Sequence, residues 1–325
     1  MDDINKVVGA LALATEQAAL LRGALDSGFL SHFGSEATPA EVGHRTGLRA
    51  GRVDDLCVAL CAIGVLTGAD GRYRLSDTYA PLGTDGATLA NQLRNAAVRE
   101  RLYEQMFTAQ GPTRYADLDP ADRMAVAAGS TVVASSAAHQ RALRQSVLEV
   151  PLWAEAMAAG GVRIVALGCG LAGNLLTVLR LYPDATGVGV DQEAGLLDRA
   201  RQDAAELGMA DRVNFVTADA GTFTDPRPFD MVFWSQFFFP AASRAKTLAN
   251  VHHLLRPGGL LVVPVRPEPP AGTVNPALAL RVLTLQGWDV PPVTAGELRA
   301  ELAASGFEIP PGEPGNATTV IARRS

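Results

Sequence analysis

Residues 163–192, RIVALGCGLAGNLLTVLRLYPDATGVGVDQ, decide the fold. A short β-branched run, Ile164 to Leu167, ends in a glycine-rich turn, and Asn174 to Leu179 then carries apolar residues at helical spacing. A second apolar run follows and stops at Asp191. Strand, turn, helix, strand is a βαβ unit, whose crossover leaves the two strands parallel. RVNFVTAD (212–219), FDMVFWSQFFF (229–239) and GGLLVVPV (258–265) repeat the pattern, each separated from the last by a helical or glycine-rich segment. These are bounded, near-continuous apolar runs, as expected of strands buried on both faces. The pattern predicts an α/β domain over 151–325 with a Rossmann-like, mostly parallel sheet.

The turns carry the candidate chemistry. Gly168, Gly170 and Gly173 match the spacing G-x-G-x-x-G, and glycines at the carboxyl end of a strand let a ligand approach the backbone closely. Such turns also serve as plain connections. Asp191 ends the next strand about twenty residues on, where a carboxylate can accept hydrogen bonds from ribose hydroxyls. Asp219 ends the third run and could accept from an adenine amino group, although an Asp at a strand end can also be a helix cap. On periodicity alone, NAD and S-adenosylmethionine both fit.

The 325 residues are 48% hydrophobic and 19% charged, a core-forming composition long enough for two domains. A formal charge of −6 disfavours nucleic acid as a partner, because phosphate neutralisation calls for a basic face. The N-terminus begins with acids and carries Glu16, Gln17 and Arg22 inside its apolar stretch, unlike a signal peptide, and no uninterrupted apolar run reaches about 18 residues. The expectation is a soluble, cytoplasmic protein with no membrane partner. Cys57, Cys61 and Cys169 form neither a disulfide framework nor a metal site, so no metal is expected.

Ahead of the α/β region, residues 4–30 place Val7, Val8, Leu11, Ala14, Ala18, Leu21 and Leu25 at helical spacing. Thr38-Pro39 starts a helix that Gly47 ends, Val53 to Leu66 forms another, and Asp70-Gly71 is a hairpin turn signal. Helix, turn, helix and hairpin is the plan of a winged helix. Its second helix carries Asp54 and Asp55, the wrong sign for a DNA groove, so residues 1–84 read as an α-helical winged-helix domain for packing or dimerisation. Residues 85–150 read as a helical connecting or lid region, broken at Gly111-Pro112 and Asp119-Pro120.

The ordered set VALGCGLAG, VGVDQEAG, VTADAGTF, FDMVFWSQ and LLRPGGLLVV resembles the motif series of class I S-adenosylmethionine-dependent methyltransferases. RVDDLCVALCAIGVLTGADGRYRLSDTYAPL resembles the winged-helix dimerisation domain of the plant-type and bacterial small-molecule O-methyltransferases. The resemblance implies S-adenosylmethionine as cofactor, a small-molecule substrate and a homodimer. It implies that Gly168, Cys169 and Gly170 line the amino-acid end of the cofactor and that Asp191, with Gln192, holds the ribose. Asp219 and Ala220 would flank the adenine, and Trp234, Ser235 and Gln236 would form a wall near the sulfonium. Two departures stand out: Ala166 replaces a frequent acid, and Ala172 stands where a third glycine is usual.

A third departure bears on catalysis. The family's catalytic His and the acid after it fall on Phe239 and Pro240, so no catalytic residue is assigned. His32 and His44 lie in the dimerisation region and His252 and His253 on the helix leading to Arg256-Pro257-Gly258-Gly259, so none of them replaces that His, while His139, in the helical region, stays open. A phenol gains from a general base, whereas a carboxylate, a neutral amine or an activated carbon needs mainly orientation. The expectation is C- or N-methylation, or O-methylation of an ionised group, with cyclisation or decarboxylation as the alternative chemistry and a ligand-sensing regulator as the alternative class. Tyr103, Arg114, Tyr115, Gln236, Phe239, Arg266 and Glu268 are the candidates for orienting a substrate, Arg266 being well typed for a carboxylate.

Overall fold

The structure is a computed structural model that describes residues 2–266, 275–310 and 318–325, with the backbone alone at 2 and 83–87. The chain divides into two compact units, Met1–Ala97 and Val98–Ser325.

The first unit opens with α1 (Asp2–Asp26), followed by α2 (Pro39–Thr46), α3 (Ala50–Ala62), β1 (Leu66–Ala69) and β2 (Arg72–Leu75). The cues at α2 act as expected. Thr38 and Glu41 form a reciprocal capping box, Pro39 sits in the first turn, and Gly47 closes the helix in a left-handed conformation. β1 and β2 pair antiparallel around Asp70 and Gly71, both at positive φ. Phe33, Val42, Val53, Cys57 and Leu60 are fully buried beneath them. Burial pushes the Cys57 thiol up to about 12, consistent with a core residue rather than a ligand. Asp54 accepts a 2.7 Å hydrogen bond from the Tyr73 hydroxyl.

α1 is different. Its C-terminal part joins this core through Leu20, Leu21 and Leu25, but Ile4, Val7, Val8, Leu11 and Leu13 are all more than half exposed. By length and composition this helix could cross a membrane, with a mean hydropathy of 1.2 over its most apolar window. A count of uninterrupted apolar runs passes over it because Glu16, Gln17 and Arg22 interrupt the stretch.

α4 (Leu82–Gln105) contains the division between the units. The second unit continues with α5 (Pro120–Ser130), α6 (Ala137–Leu148), α7 (Pro151–Ala158), β3 (Arg163–Leu167), α8 (Gly173–Leu181), β4 (Thr186–Asp191), α9 (Ala194–Glu206), β5 (Val213–Thr217), β6 (Phe229–Trp234), α10 (Ala241–Leu254), β7 (Leu255–Pro264), α11 (Pro276–Gly287), α12 (Ala295–Ala304), β8 (Phe307–Glu308) and β9 (Thr319–Arg324). The seven-stranded sheet has the order β5-β4-β3-β6-β7-β9-β8. β3 to β7 run parallel, as the five apolar runs predict, and β9 pairs antiparallel with both β7 and β8.

The strands feed two cores because their side chains alternate between faces. Ile164, Ala166, Met231, Leu260 and Val262 enter one with α7, α8 and α9. Val165, Leu167, Val232, Trp234, Leu261 and Val263 enter the other with α10 and α12. β6 is tied at its start: Asp230 accepts from the Arg163 amide (2.8 Å) and from Arg256 Nε (2.6 Å).

Ala172, one of the departures from the motif, is the N-cap of α8 and takes φ 55°, ψ 21°. An L-residue with a Cβ is strained there by roughly 1–2 kcal/mol. Ala172→Gly should therefore raise the stability of the second unit by about 0.5–1 kcal/mol, after the added freedom of the unfolded glycine is discounted. Urea denaturation followed by circular dichroism reads this, and Ala172→Val should move the midpoint the other way.

Candidate active site

The site is built at the carboxyl ends of β3, β4 and β6. Gly168 and Gly170 have φ of 64° and 53°, so the turn after β3 is a conformation that only glycine takes without strain. A Cβ at Gly168 would stand 2.5 Å from the Phe239 ring. A Cβ at Gly173 would stand 2.0 Å from the Val132 carbonyl oxygen. The glycines thus admit protein neighbours as well as leaving backbone open: Phe239 lies on the first and the 131–132 segment on the third. Cys169 is half-buried, and desolvation holds its thiol well above the usual range.

Asp191 is the electrostatic centre. Its Oδ2 accepts from the Gly170 amide at 2.8 Å and its Oδ1 from the Glu193 amide at 3.1 Å, and Gln192 adds a third backbone donor. Hydrogen bonds to a charged group contribute roughly 1.5–3 kcal/mol each, while burying a carboxylate costs several. Burial wins, and the carboxyl is pushed up from 3.8. Three backbone donors leave one of its about four lone-pair sites for a further donor. Among the described residues no group of three or more His, Cys, Asp or Glu is placed to hold a metal.

Asp219 is half exposed and already engaged. Oδ1 accepts from the Gly221 amide at 2.6 Å and Oδ2 faces Lys246 Nζ at 3.3 Å, so it organises the turn after β5 in the manner of a cap. Ala220 is buried, and its carbonyl accepts from the equally buried Asn250 at 2.8 Å.

The 234–239 segment differs from the expectation of an open wall. The Trp234 indole is wholly buried in the core, edge-on to Phe239 at 5.6 Å, with the Arg244 guanidinium 4.7 Å over it. Alternation along β6 sends position 234 into the core shared with α10 and α12. Ser235 donates its amide to the Leu167 carbonyl. Gln236 is buried and clamps the ends of β6 and β7: Nε2 donates to the Pro264 carbonyl at 2.9 Å and Oε1 accepts from Arg244, which in turn holds Glu301 at 2.5 Å. Both ends of its amide are thus engaged within the core. Phe239 is the member of this segment brought to the glycine turn.

The helical residues sort equally clearly. Tyr115 packs against Phe238 at 5.2 Å and Trp288 at 5.4 Å, and burial with the nearby Asp191 and Glu193 raises its phenol far above its ordinary value. It is held there by Arg123, which ion-pairs with Glu193 at 2.9 Å and donates to the carbonyls of Ala116 and Leu118. Arg114 is exposed and paired with Asp117 at 3.1 Å. The Tyr103 hydroxyl donates to the Leu280 carbonyl at 3.0 Å. Arg266 lies 4.7 Å over the Phe237 ring, and Glu268 lies outside the described residues.

No histidine comes forward as a base. His139 Nδ1 accepts from the Val133 amide at 3.1 Å, within the segment that covers Gly173. His252 bonds the Ser305 carbonyl and stacks on Phe307. Arg123, Glu193 and Trp288 shape the site although no sequence motif singles them out. Arg123 and Glu193 are 70 positions apart, and no spacing rule joins them. A cavity of about 310 Å³ between α4, the 113–122 segment and Trp288 is lined by none of the glycine-turn or strand-end residues.

Residues 164–259 match the profile of a family described as a methyltransferase domain. Among curated relatives, trans-aconitate 2-methyltransferase of Methylobacterium radiotolerans is 29% identical over 123 residues, 38% of this chain and 43% of that protein. The chain thus spans less than half the length of the curated relatives it matches. Solved structures align along nearly the whole chain. An O-methyltransferase family protein from Burkholderia thailandensis superposes with a TM-score of 0.69 at 20% identity, covering 98% of each chain. A methyltransferase of calicheamicin biosynthesis, in its SAH-bound form, gives 0.62 at 20% identity with full coverage of both. The fold is therefore the class I methyltransferase fold, and S-adenosyl-L-methionine is the cofactor such a domain takes. The residues present fit it: a strain-free glycine turn at the end of β3 stands beside a half-buried carboxylate with an unused lone pair at the end of β4.

The raised Asp191 pKa fixes a sign. The folded state holds this proton more tightly than the unfolded chain, so the group contributes nothing at low pH and lowers stability as pH rises above 3.8. Ribose binding needs the charged form. Cofactor affinity, measured by calorimetry, should fall as pH is lowered, beginning above the ordinary Asp range, and Asp191→Ala should lose at least tenfold in affinity together with that dependence.

Proposed function

We propose, from the premise that the carboxyl-terminal unit is a class I methyltransferase domain, that this protein transfers a methyl group from S-adenosylmethionine to a small aromatic or natural-product acceptor without a general base. The observation that carries this reading is Phe239 on Gly168: an aromatic ring occupies the approach where the resemblance expects an imidazole. The bound cofactor supplies an electrophilic methyl on a sulfonium. Asp191 orients the cofactor through its ribose, and Gly168 to Gly170 receive its amino-acid end. Asp219 and Ala220 flank the adenine. Phe237 and Phe239 give an apolar wall that excludes water and aligns a flat acceptor for in-line attack at about 3–3.5 Å. The acceptor is a carbon, a neutral nitrogen or an oxygen that arrives ionised. The solved neighbour from calicheamicin biosynthesis supports the natural-product class.

Residues 1–84 serve as a winged-helix dimerisation domain, and the exposed face of α1, with Val7 and Leu11, is covered by a second copy of the chain. The dimer reading is preferred to a membrane anchor because Glu16, Gln17 and Arg22 lie along the same helix.

Isothermal titration with S-adenosylmethionine and S-adenosylhomocysteine should show micromolar binding of both, and no binding at high micromolar concentration would remove the reading. With an acceptor in hand, product mass should rise by one methyl per turnover with release of S-adenosylhomocysteine. An altered product with intact cofactor would point instead to cyclisation or decarboxylation assisted by the sulfonium charge.

Light scattering of the intact protein should give a dimer, and deletion of residues 1–80 should yield insoluble protein. A soluble, active, monomeric truncation would show that α1 is dispensable.

A further inference from the structure

α4 carries Arg99 and Tyr103 one turn apart, hence on one face. The Tyr103 hydroxyl lies 3.0 Å from the Leu280 carbonyl and 2.9 Å from Thr284 Oγ1, which fixes that face against α11 where Arg281 stands between them in sequence. Arg266 follows β7, at the carboxyl end of the sheet where ligands of open α/β folds bind, with its guanidinium over Phe237. The Nε atoms of Arg99, Arg266 and Arg281 are all buried without a hydrogen-bond partner among the described residues. No Asp or Glu among those residues forms an ion pair with any of the three. Other sheltered arginines do have one: Arg123, Arg163 and Arg244 hold carboxylates at 2.9, 2.8 and 2.5 Å. The three also feel one another. Burial, then Arg266 and Arg99, push Arg281 down to about 10, and burial with Arg99 lowers Arg266. Half-buried like charges with no counter-ion among the described residues oppose folding, so a fold that keeps them together retains a place for a negative ligand.

We propose that Arg99, Arg266 and Arg281 form a cage for an oxyanion, carboxylate or phosphate, borne by the acceptor. Guanidinium forks match both groups in bidentate geometry. Binding energy from this group, remote from the reacting atom, orients the acceptor in a site that lacks a base. That the anion belongs to the methyl acceptor rests on the methyltransferase reading, whereas the cage itself does not.

The test uses the full-length protein with 2-naphthoate, 2-naphthyl phosphate and neutral 2-naphthamide as probes, and S-adenosylhomocysteine as reference. In calorimetry at least one anion should bind the unaltered protein at least tenfold more tightly than the amide, and the better of the two identifies the oxyanion. Arg266→Gln and Arg281→Gln should each weaken that anion at least tenfold, keep S-adenosylhomocysteine affinity within about twofold, and raise the Tm of the ligand-free protein by relieving repulsion. Amide binding equal to anion binding overturns the cage, and this arm needs no variant. Unchanged anion affinity in the variants also overturns it, as does a parallel loss of S-adenosylhomocysteine, which would make the arginines cofactor ligands. If S-adenosylhomocysteine binds and neither anion does, the cage fails while the methyltransferase reading stands. If an anion binds and S-adenosylhomocysteine does not, the cage stands and the methyltransferase reading fails.

Discussion

The site depends on one half-buried carboxylate. Asp191 accepts from the amides of Gly170 and Glu193, and so joins the turn after β3 to the turn after β4. The glycine turn has no side chains of its own to hold its shape. A charge removed from water pulls donors toward it, and here the nearest donors are the backbone amides of the two loops that must face the ligand. The remaining deficit, visible as a raised carboxyl pKa, is what a ligand hydroxyl can relieve. The neighbouring residues extend the arrangement: Glu193 holds Arg123, Arg123 holds the 116–118 carbonyls, and Tyr115 is thereby packed beside Phe238 and Trp288.

Around this centre, polarity is unevenly distributed. The strand ends near Phe237, Phe238 and Phe239 are apolar, and the polar side chain within that run, Gln236, is spent on joining Pro264 to Arg244. Proton transfer has no positioned imidazole, since His139 and His252 both bond backbone atoms elsewhere. Positive charge accumulates instead at Arg99, Arg266 and Arg281, where burial makes each charge more consequential than it would be in water. On the proposed reading, aromatic walls together with cations that pair with no carboxylate among the described residues favour an acceptor that is flat and already anionic over one that must first lose a proton.

Much of the fold is legible in the chain. The five apolar runs become β3 to β7, Thr38-Pro39 and Gly47 bound α2, and Asp70-Gly71 turns the hairpin. β9, TVIARR, lies outside the strand-and-helix series read from the sequence although its β-branched run is comparable, because it pairs antiparallel with β7 and β8. β8 has two residues and carries no period to read. Gly168, Gly170 and Asp191 are legible because backbone conformation and strand-end position are local properties, written in residue type and spacing.

What the sequence by itself determined is the order of strands and helices, the glycine turn, the acid at the end of β4 and the absence of a histidine at position 239. Only the tertiary structure decided which candidate side chains are available. Tyr103 and Gln236 look like substrate ligands by type, but partners 177 and 28 residues away take up their polar atoms. Trp234 is aromatic and at a strand end, yet the pleat turns it into the core. Arg99 and Arg281, which no motif singles out, meet Arg266 because α4 and α11 pack across a gap of about 180 residues. Hydrogen-bond partners and uncompensated charge are properties of neighbours in space, and spacing along the chain carries no record of them.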